Sequence, residues 1–428
     1  MRMLWVLAAA LSVLCAQQDE RMRTDALLVV AHPDDETVIG SYLARIILED
    51  GRKVSVVYGT RGDGGGNEQG TEQAASLGLV RETEVRRALA SSWNVHNVWI
   101  LGAPDTPGQD VLRSLETWNH GQRLAEIVRI IRLTRPNVVL TWLPATLAGE
   151  NHGDHQAAGV IATEAFDLAG NPTVFPEQLA PPRDRRNIGN LTEGLKPWQP
   201  QKLYFFSDAA NLQFAAGQGP VYSVTEKQAR SAAQEAAFHL TQEGKTAQKA
   251  LDKGDLHEFL QPVRLIYGKS LVKASTTGDV FEGTDEKAGR SQQSSPAPAL
   301  DVPEMSIRLG GPWMFYRYFW REHNLVPRTP ESEAGVGPGA TLNVPLVLQN
   351  NGATSVEVDL IAKLPPVWGE SESRKFTLAP GAPYPLWLKL KAPATKGDWR
   401  LSWEMYHDGK LLGVQELHVF VLPGMLPQ

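Results

Sequence analysis

Short apolar runs alternate with amphipathic segments through the first half of the chain, which predicts alternating strands and helices. The predicted strands cover residues 26–31, 53–59, 97–101, 137–142 and 202–207. The predicted helices cover residues 37–50, 79–92, 117–133 and 155–168, with one more over 224–251. Apolar runs that lack polar alternation are typical of strands buried on both faces. We therefore expect an α/β fold, a mostly parallel sheet with helices on both faces.

The pattern changes in the last third of the chain. Residues 273–302 are dense in Ser, Thr, Gly, Gln and Pro, which predicts a linker. Beyond it, short strands are separated by turn residues, at 340–349, 355–364, 375–378, 384–390, 399–406 and 411–422. This spacing is typical of an immunoglobulin-like β-sandwich. We therefore predict two domains, an α/β domain over 24–272 and an accessory sandwich over 303–428.

The N-terminus has the pattern of a secretory signal peptide. Arg2 precedes an apolar run over residues 4–14, and small residues follow, ending at Ala16. We predict cleavage after residue 16 and export to the periplasm or the medium; the alternative is that the segment is retained as an anchor. The only cysteine of the chain, Cys15, lies within this segment, so a cleaved chain has no thiol for catalysis or metal binding.

Composition and charge narrow the possible partners. The chain is 42% hydrophobic and 21% charged, which describes a globular protein. Its formal net charge of −6 gives no support for nucleic-acid binding.

Two polar clusters follow predicted strands. The first strand ends in His-Pro-Asp-Asp-Glu over residues 32–36, and Asn-His-Gly-Asp-His over 151–155 comes shortly after the fourth. In open parallel sheets, ligands bind at the carboxyl ends of strands where the strand order reverses, and the first and fourth strands are commonly neighbours there. We therefore expect the two clusters to converge.

Imidazole and carboxylate groups suit Zn²⁺ and similar metals, so the clusters predict a metal-dependent hydrolase. The alternative for Asp34, Asp35 and Glu36 is an ordinary acidic helix start. Three other kinds of site lack their motifs. The glycine-rich segment 62–70 has no Lys-Ser/Thr of a phosphate-binding P-loop, and no Gly-x-Gly-x-x-Gly of a dinucleotide site follows the first strand. No Gly-x-Ser-x-Gly elbow of a serine hydrolase occurs either.

Four motifs together resemble those of the LmbE-like, or PIG-L, deacetylases. They are Ala-His-Pro-Asp-Asp-Glu at 31–36, Thr-Arg-Gly-Asp-Gly at 60–64, Arg-Glu-Thr-Glu at 81–84 and His-Gly-Asp-His at 152–155. The resemblance covers about residues 24–272 and implies a Rossmann-like fold and zinc-dependent removal of acetyl groups from N-acetylglucosaminyl compounds. One departure is Gly153, which stands where the family usually has proline.

The resemblance also implies a role for each site residue. His32, Asp35 and His155 would hold one zinc ion, which leaves positions open for water and substrate. Asp34 would be the general base, and His152 would polarise the amide carbonyl with Asp154 orienting it. Contacts with substrate are predicted for Arg81 and Glu36, for which a helix-surface charge and a capping group are the respective alternatives. His239 is a further candidate for the pocket.

The resulting hypothesis is an exported zinc-dependent N-deacetylase that acts on an N-acetylated amino sugar or glycoconjugate. Two alternatives stay open: a metal-dependent hydrolase of another amide or ester, and a carbohydrate-binding protein whose metal site is vestigial. The aromatic segment 313–320 could contact sugar rings, but packing between or within the domains is the favoured interpretation.

Overall fold

The structure, a computed structural model, describes residues 20–147, 151–180, 194–208, 219–284, 303–325 and 332–423. The predicted signal peptide lies outside the described residues, so cleavage and export stay predictions. Within the described part of the chain, no helix combines the length and apolar character needed to cross a membrane.

The first part of the chain alternates strands and helices as predicted. Its strands are β1 (Ala26–Val30), β2 (Val54–Thr60), β3 (Val98–Ala103), β4 (Val138–Trp142), β5 (Lys202–Phe206), β6 (Val221–Tyr222), β7 (Val263–Arg264) and β8 (Ile266–Ser270). Its helices are α1 (Gly40–Leu48), α2 (Ala74–Trp93), α3 (Val111–Thr117), α4 (His120–Thr134), α5 (Gly153–Leu168), α6 (Glu226–Ala236) and α7 (Gly244–Lys253).

A six-stranded sheet with the order β3-β2-β1-β4-β5-β8 forms the centre of this part. All neighbouring strands are parallel except β5 and β8. The strands β1, β2 and β4 are buried along their whole length, as expected for a sheet covered on both faces. The predicted α/β class is therefore confirmed, and β1 and β4 are neighbours as the site hypothesis requires.

Two predicted helices are divided. The segment predicted as a helix over 224–251 forms α6 and α7, and His239 lies in the turn between them. In the segment predicted as a helix over 117–133, α3 ends at Thr117 and α4 begins at His120, because Asn119 between them takes a left-handed conformation. Helical composition does not reveal such turns, since the breaking residues are not glycine or proline.

The last part of the chain is mostly strands. These are β9 (Met305–Leu309), β10 (Glu333–Val336), β11 (Thr341–Asn350), β12 (Val356–Lys363), β13 (Ser373–Leu378), β14 (Pro383–Lys391), β15 (Gly397–His407) and β16 (Lys410–Val421). They form a five-stranded sheet, β10-β16-β15-β12-β13, and a three-stranded sheet, β14-β11-β9. The predicted all-β region is confirmed; β9 and β10 were not predicted.

Residues within the predicted linker and beyond it pack in the core of the α/β part. Val280 and Phe281 lie within its bounds but are buried in the core of the α/β part. The helix α8 (Gly311–Glu322) carries the aromatic segment, and Tyr316, Phe319 and Trp320 join that same core. The exact domain boundaries stay a prediction. Strand β9, which precedes α8, packs in the second core with the sandwich strands.

Candidate active site

The two polar clusters converge at the carboxyl edge of the sheet. His32 and Asp35 follow β1, and His155 lies in the first turn of α5, beyond the end of β4. The clusters meet at His155 Nε2, which lies 3.2 Å from His32 Nδ1 and 3.2 Å from Asp35 Oδ1. All three side chains are buried or nearly so, with exposures of 9%, 6% and 5% respectively.

Asp35 uses its two carboxylate oxygens differently. Oδ2 accepts hydrogen bonds from the backbone N–H groups of Ala31 (2.9 Å) and His32 (3.0 Å) and from Nε1 of Trp142 (2.7 Å). Oδ1 instead faces the imidazoles, 3.2 Å from His155 Nε2 and 3.6 Å from His32 Nδ1. One oxygen is thus held by the protein, and the other is directed to a possible metal.

The three atoms His32 Nδ1, Asp35 Oδ1 and His155 Nε2 form a triangle with sides of 3.2, 3.2 and 3.6 Å. A tetrahedral metal with bonds of about 2.0–2.1 Å separates its ligand atoms by about 3.3–3.4 Å. The triangle therefore fits one face of a tetrahedral metal site, and the fourth position lies away from these three residues.

Trp142, at the end of β4, supports two of these ligand candidates. Its ring stacks on His155 at 3.8 Å between centroids with 5° between planes, while its N–H holds Asp35. The pattern of apolar residues predicts Trp142 only as the last residue of a strand. A tryptophan at that position is a weak signal, because apolar packing is its usual role.

The carboxylate of Asp154 lies against His32, and the orienting role expected for it at His152 stays a prediction. Its Oδ2 is 3.5 Å from His32 Nε2 and accepts a hydrogen bond from the backbone N–H of Thr106 at 2.7 Å. Burial opposes protonation of His32, but Asp154, Asp35 and Asp105 outweigh it and raise the pKa of His32 well above the usual value. The same negative surroundings favour a bound cation.

His152 occupies the N-cap of α5, where its Nδ1 accepts from the backbone N–H of Asp154 at 3.4 Å. An accepting Nδ1 implies that the proton of the neutral ring is on Nε2. Burial, aided by the charges of His155 and His32, lowers the pKa of His152 to about 2. His152 is therefore a neutral imidazole beside the metal-ligand candidates, with its ring centroid 4.1 Å from that of His155.

Asp34 is held in an unusual conformation by Arg81. Its φ of 109° lies in the left-handed region, which is strained for a residue other than glycine. Arg81 donates to Asp34 Oδ2 at 2.8 Å, to the Pro33 carbonyl at 2.6 Å and to the Gly62 carbonyl at 2.8 Å. Arg81 is thus engaged by the protein itself. Burial raises the pKa of Asp34 to about 6, although the charge of Arg81 acts in the opposite direction.

Glu36 is fully buried, which corrects its predicted contact with substrate. The short helical turn after Asp34 directs it inward, where Oε2 accepts from the Asp34 N–H at 3.1 Å and Oε1 lies 3.0 Å from His239 Nε2. His239 is also 3.2 Å from Glu235, and its exposure is 3%. His239 therefore contacts the first cluster through Glu36, and its place in a substrate pocket stays a prediction.

Besides the triangle of His32, Asp35 and His155, three other groups of described side chains place potential ligand atoms within 4.8 Å of one another: His32 with His152 and His155, His32 with Asp105 and Asp154, and Glu36 with Glu235 and His239. We favour the triangle, because its separations of 3.2, 3.2 and 3.6 Å match those of a tetrahedral site. The part of the chain that the structure describes thus contains a site able to hold a metal ion.

Gly153, the departure from the family pattern, has a local explanation. Its backbone N–H donates to the Gly108 carbonyl at 3.0 Å, a bond that proline could not make. A Cβ atom at this position would lie 2.6 Å from Ser114 Oγ and 3.0 Å from the Asp110 carbonyl oxygen. The close packing of α5 on α3 therefore requires glycine here.

Comparison with known proteins agrees with this geometry. Residues 27–166, which include both clusters, match the family described as PIG-L: GlcNAc-PI de-N-acetylase. The chain therefore contains a PIG-L domain. Every ligand candidate of the triangle, together with Asp34, Arg81 and His152, lies inside the matched residues.

Two relatives illustrate the extent of the similarity. Both are named 1D-myo-inositol 2-acetamido-2-deoxy-alpha-D-glucopyranoside deacetylase. The one from Geodermatophilus obscurus is 32% identical over 35% of this chain and 55% of its own length. The one from Thermobifida fusca is 29% identical over 44% of this chain and 63% of its own length. The matched region thus spans less than two thirds of either relative.

Among solved structures, the N,N'-diacetylchitobiose deacetylase from Pyrococcus horikoshii is similar to part of this chain. It is 17% identical and has a TM-score of 0.38, covering 58% of this chain and 85% of that protein.

Proposed function

We propose that this protein is a zinc-dependent hydrolase that removes the N-acetyl group from an N-acetylglucosaminyl-type amino sugar or glycoconjugate. The observation that carries the proposal is the triangle of His32, Asp35 and His155, because its sides of 3.2–3.6 Å match a tetrahedral metal. The PIG-L match over the same residues and the names of the relatives support the class of substrate.

Zinc suits the donor set, since two imidazoles and one carboxylate with an open position are a common catalytic zinc site. When bound, zinc supplies a Lewis acid that polarises the acetamide carbonyl and acidifies water. Asp35 keeps one oxygen for the metal because its other oxygen is saturated by three donors. Because the Asp154 carboxylate lies beside Nε2 of His32, Nδ1 of that ring is the nitrogen that is free to bind the metal.

Asp34 is the general base of the proposal. Its pKa of about 6 lies near neutral pH, so the carboxylate can accept a proton from water and its acid form can return the proton to the leaving amine. Arg81 holds Asp34 Oδ2 at 2.8 Å and keeps the residue in its left-handed conformation. His152, neutral and protonated on Nε2, is suited to donate a hydrogen bond to the carbonyl oxygen as negative charge develops on it.

Acetate release from a panel of N-acetylglucosaminyl compounds tests the proposal. The panel contains free N-acetylglucosamine, N,N'-diacetylchitobiose and a glucosaminyl inositol, each offered to protein reconstituted with zinc. We expect at least one compound to be deacetylated, and we expect Asp34→Asn to reduce kcat by about 10²–10⁴-fold with its zinc content unchanged.

Asp50→Asn is the matched control, because Asp50 is exposed just beyond the C-terminal end of α1 and its carboxylate pairs with Arg45 in the described contacts. It should retain native activity. Absence of acetate release by fully zinc-loaded native protein from every compound would contradict the amino-sugar proposal and favour another amide or an ester.

A further inference from the structure

The helix α8 lies far outside the residues that match the PIG-L family, yet one of its faces packs on the PIG-L domain. Tyr316, Phe319 and Trp320 are exposed by only 3%, 4% and 4%. Trp313 packs instead on the core of the β-strand region, and Tyr318 is 45% exposed. The aromatic segment thus packs between the two parts of the chain, and two of its buried rings make polar contacts near the site.

Trp320 contacts the loop that follows β4. Its Nε1 donates to the Pro144 carbonyl at 2.6 Å. The side chain of Asn151, the residue before His152, donates to the Ala145 carbonyl at 2.6 Å. The stretch 143–145 is therefore held both by α8 and by the residue that leads into the second catalytic cluster.

Tyr316 contacts the second cluster through Gln156, the residue after His155. The hydroxyl of Tyr316 donates to Gln156 Oε1 at 3.0 Å, and Gln156 is fully buried. The amide nitrogen of Gln156 donates to the carbonyls of Asn151 at 2.8 Å and Gln109 at 3.2 Å. A single side chain thus joins the loop before His152 to the loop that contains Asp105 and Thr106.

Tyr316 completes the hydrogen bonding of the Gln156 amide. The two carbonyls can accept hydrogen bonds but cannot donate them, so the NH₂ group must face them and the amide oxygen must face away. The Tyr316 hydroxyl supplies the donor for that oxygen. Without it, a buried amide oxygen would be unsatisfied, and turning the amide to find another donor would break both bonds to the carbonyls.

We infer that Tyr316 is a positioning residue of the active site, which acts through Gln156 to hold together the two loops that carry Asp105, Thr106 and His152. The accessory part of the chain thereby contributes to the reaction without contacting substrate. A small displacement of a group at the site is sufficient to slow a reaction substantially. The effect on the reaction rests on the proposed deacetylase function, whereas the structural role of Tyr316 does not.

Tyr316→Phe tests the inference, since it removes only the hydroxyl, and Tyr318→Phe is the matched control on the exposed face of α8. Hydrogen–deuterium exchange of the metal-free proteins is the first readout. We expect faster exchange in peptides that cover 104–110 and 151–156 in Tyr316→Phe, and native exchange in Tyr318→Phe. Unchanged exchange in both regions would overturn the inference.

Acetate release at a temperature well below the Tm of each variant is the second readout. We expect Tyr316→Phe to lower kcat about 10-fold with KM and zinc content close to native. In a Gln156→Met background, adding Tyr316→Phe should have no further effect, because both changes break the same connection. A kcat within twofold of native, or fold-changes that multiply in the double variant, would overturn the role in the reaction.

The two readouts distinguish a failure of the proposed function from a failure of the inference about Tyr316. Native protein that releases no acetate would contradict the proposed function, while exchange would still test Tyr316. If Tyr316→Phe does not fold, Gln156→Glu tests the other end of the connection, since a carboxylate still accepts from Tyr316 but does not donate to the carbonyls of Asn151 and Gln109. Native exchange over 104–110 and 151–156 in that variant would equally overturn the inference.

Discussion

At the scale of single residues, two of the ligand candidates, Asp35 and His32, each have one polar atom in contact with the protein and a second polar atom in the triangle. Asp35 has one oxygen bound by Trp142 and two backbone N–H groups, and the other faces the imidazoles. His32 has its Nε2 near Asp154 and its Nδ1 in the triangle. Such contacts fix the orientation of Asp35 and favour one tautomer of His32 before any metal binds.

Trp142→Phe should weaken metal binding. The change removes the N–H that holds Asp35 Oδ2 at 2.7 Å and keeps an aromatic ring against His155. Loss of such supporting hydrogen bonds typically costs about 10–100-fold in metal affinity, so we expect the zinc Kd to rise by about 10-fold. The measurement is competition with a chromophoric chelator.

The control for that measurement is Trp198→Phe. Trp198 also donates its Nε1 to an oxygen, the Pro136 carbonyl at 2.7 Å, at a place that contacts none of the ligand candidates. Its substitution should leave the zinc Kd within twofold of native. Equal effects of the two substitutions would show that Trp142 has no particular role at the metal.

At the scale of elements, the approach of α5 to α3 decides where His152, Asp154 and His155 lie. Gly153, the first residue of α5, is placed between the Gly108 carbonyl and Ser114. The helix therefore begins against the loop after β3, which brings Asp154 within hydrogen-bonding distance of Thr106. A residue with a side chain at 153 would separate these elements.

Gly153→Pro should destabilise the protein even though proline is usual at this position in the family. It removes the 3.0 Å bond to Gly108 and places ring atoms where a Cβ would already lie 2.6 Å from Ser114 Oγ. We expect a loss of about 1–3 kcal/mol in the free energy of unfolding, measured by urea denaturation. Gly121→Ala, in α4 with no atom near its added Cβ, should be neutral or stabilising. A native midpoint for Gly153→Pro would refute this explanation of the departure.

At the scale of the whole molecule, two hydrophobic cores meet around α8. The core of the sheet includes Tyr316 and Trp320, whereas Trp313 of the same helix packs on the core of the β-sandwich. Trp313 also donates its Nε1 to the Glu333 carbonyl in β10, at 3.1 Å. One helix is therefore shared by both cores, and its contacts with Pro144 and Gln156 extend to the site.

Removal of metal should lower the Tm of the whole protein. A metal that binds only the folded state at about 100 times its Kd stabilises that state by about 2.7 kcal/mol. At about 2.1 cal/mol/K of unfolding entropy per residue, a chain of 428 residues has about 0.9 kcal/mol/K, so we expect a decrease of about 3 °C in Tm when a chelator is added to zinc-loaded protein. Differential scanning calorimetry in the two conditions measures it.

Two variants show which group of residues binds the metal that raises the Tm. Asp35→Asn should abolish the difference in Tm between zinc-loaded and chelated protein, because it neutralises a member of the triangle. Glu235→Gln should retain the difference, since Glu235 belongs to the buried group with Glu36 and His239. The opposite result would place the metal in that second group.

The sequence by itself determined the alternation of strands and helices, the change to short strands in the last third, and the residues of the two clusters. These follow from local periodicity and from residue chemistry, which do not depend on distant contacts. The convergence of His32 with His155 could also be predicted, because the order of strands in open parallel sheets is restricted.

Only the tertiary structure decided what each polar side chain faces. The burial of Glu36 beside His239, the position of Asp154 against His32 and the engagement of Arg81 by Asp34 all depend on packing between elements distant in sequence. The contact of Tyr316 with Gln156 joins residues 160 positions apart. Periodicity shows which face of an element is buried, but the partner of a buried polar atom is set by the three-dimensional arrangement of the elements.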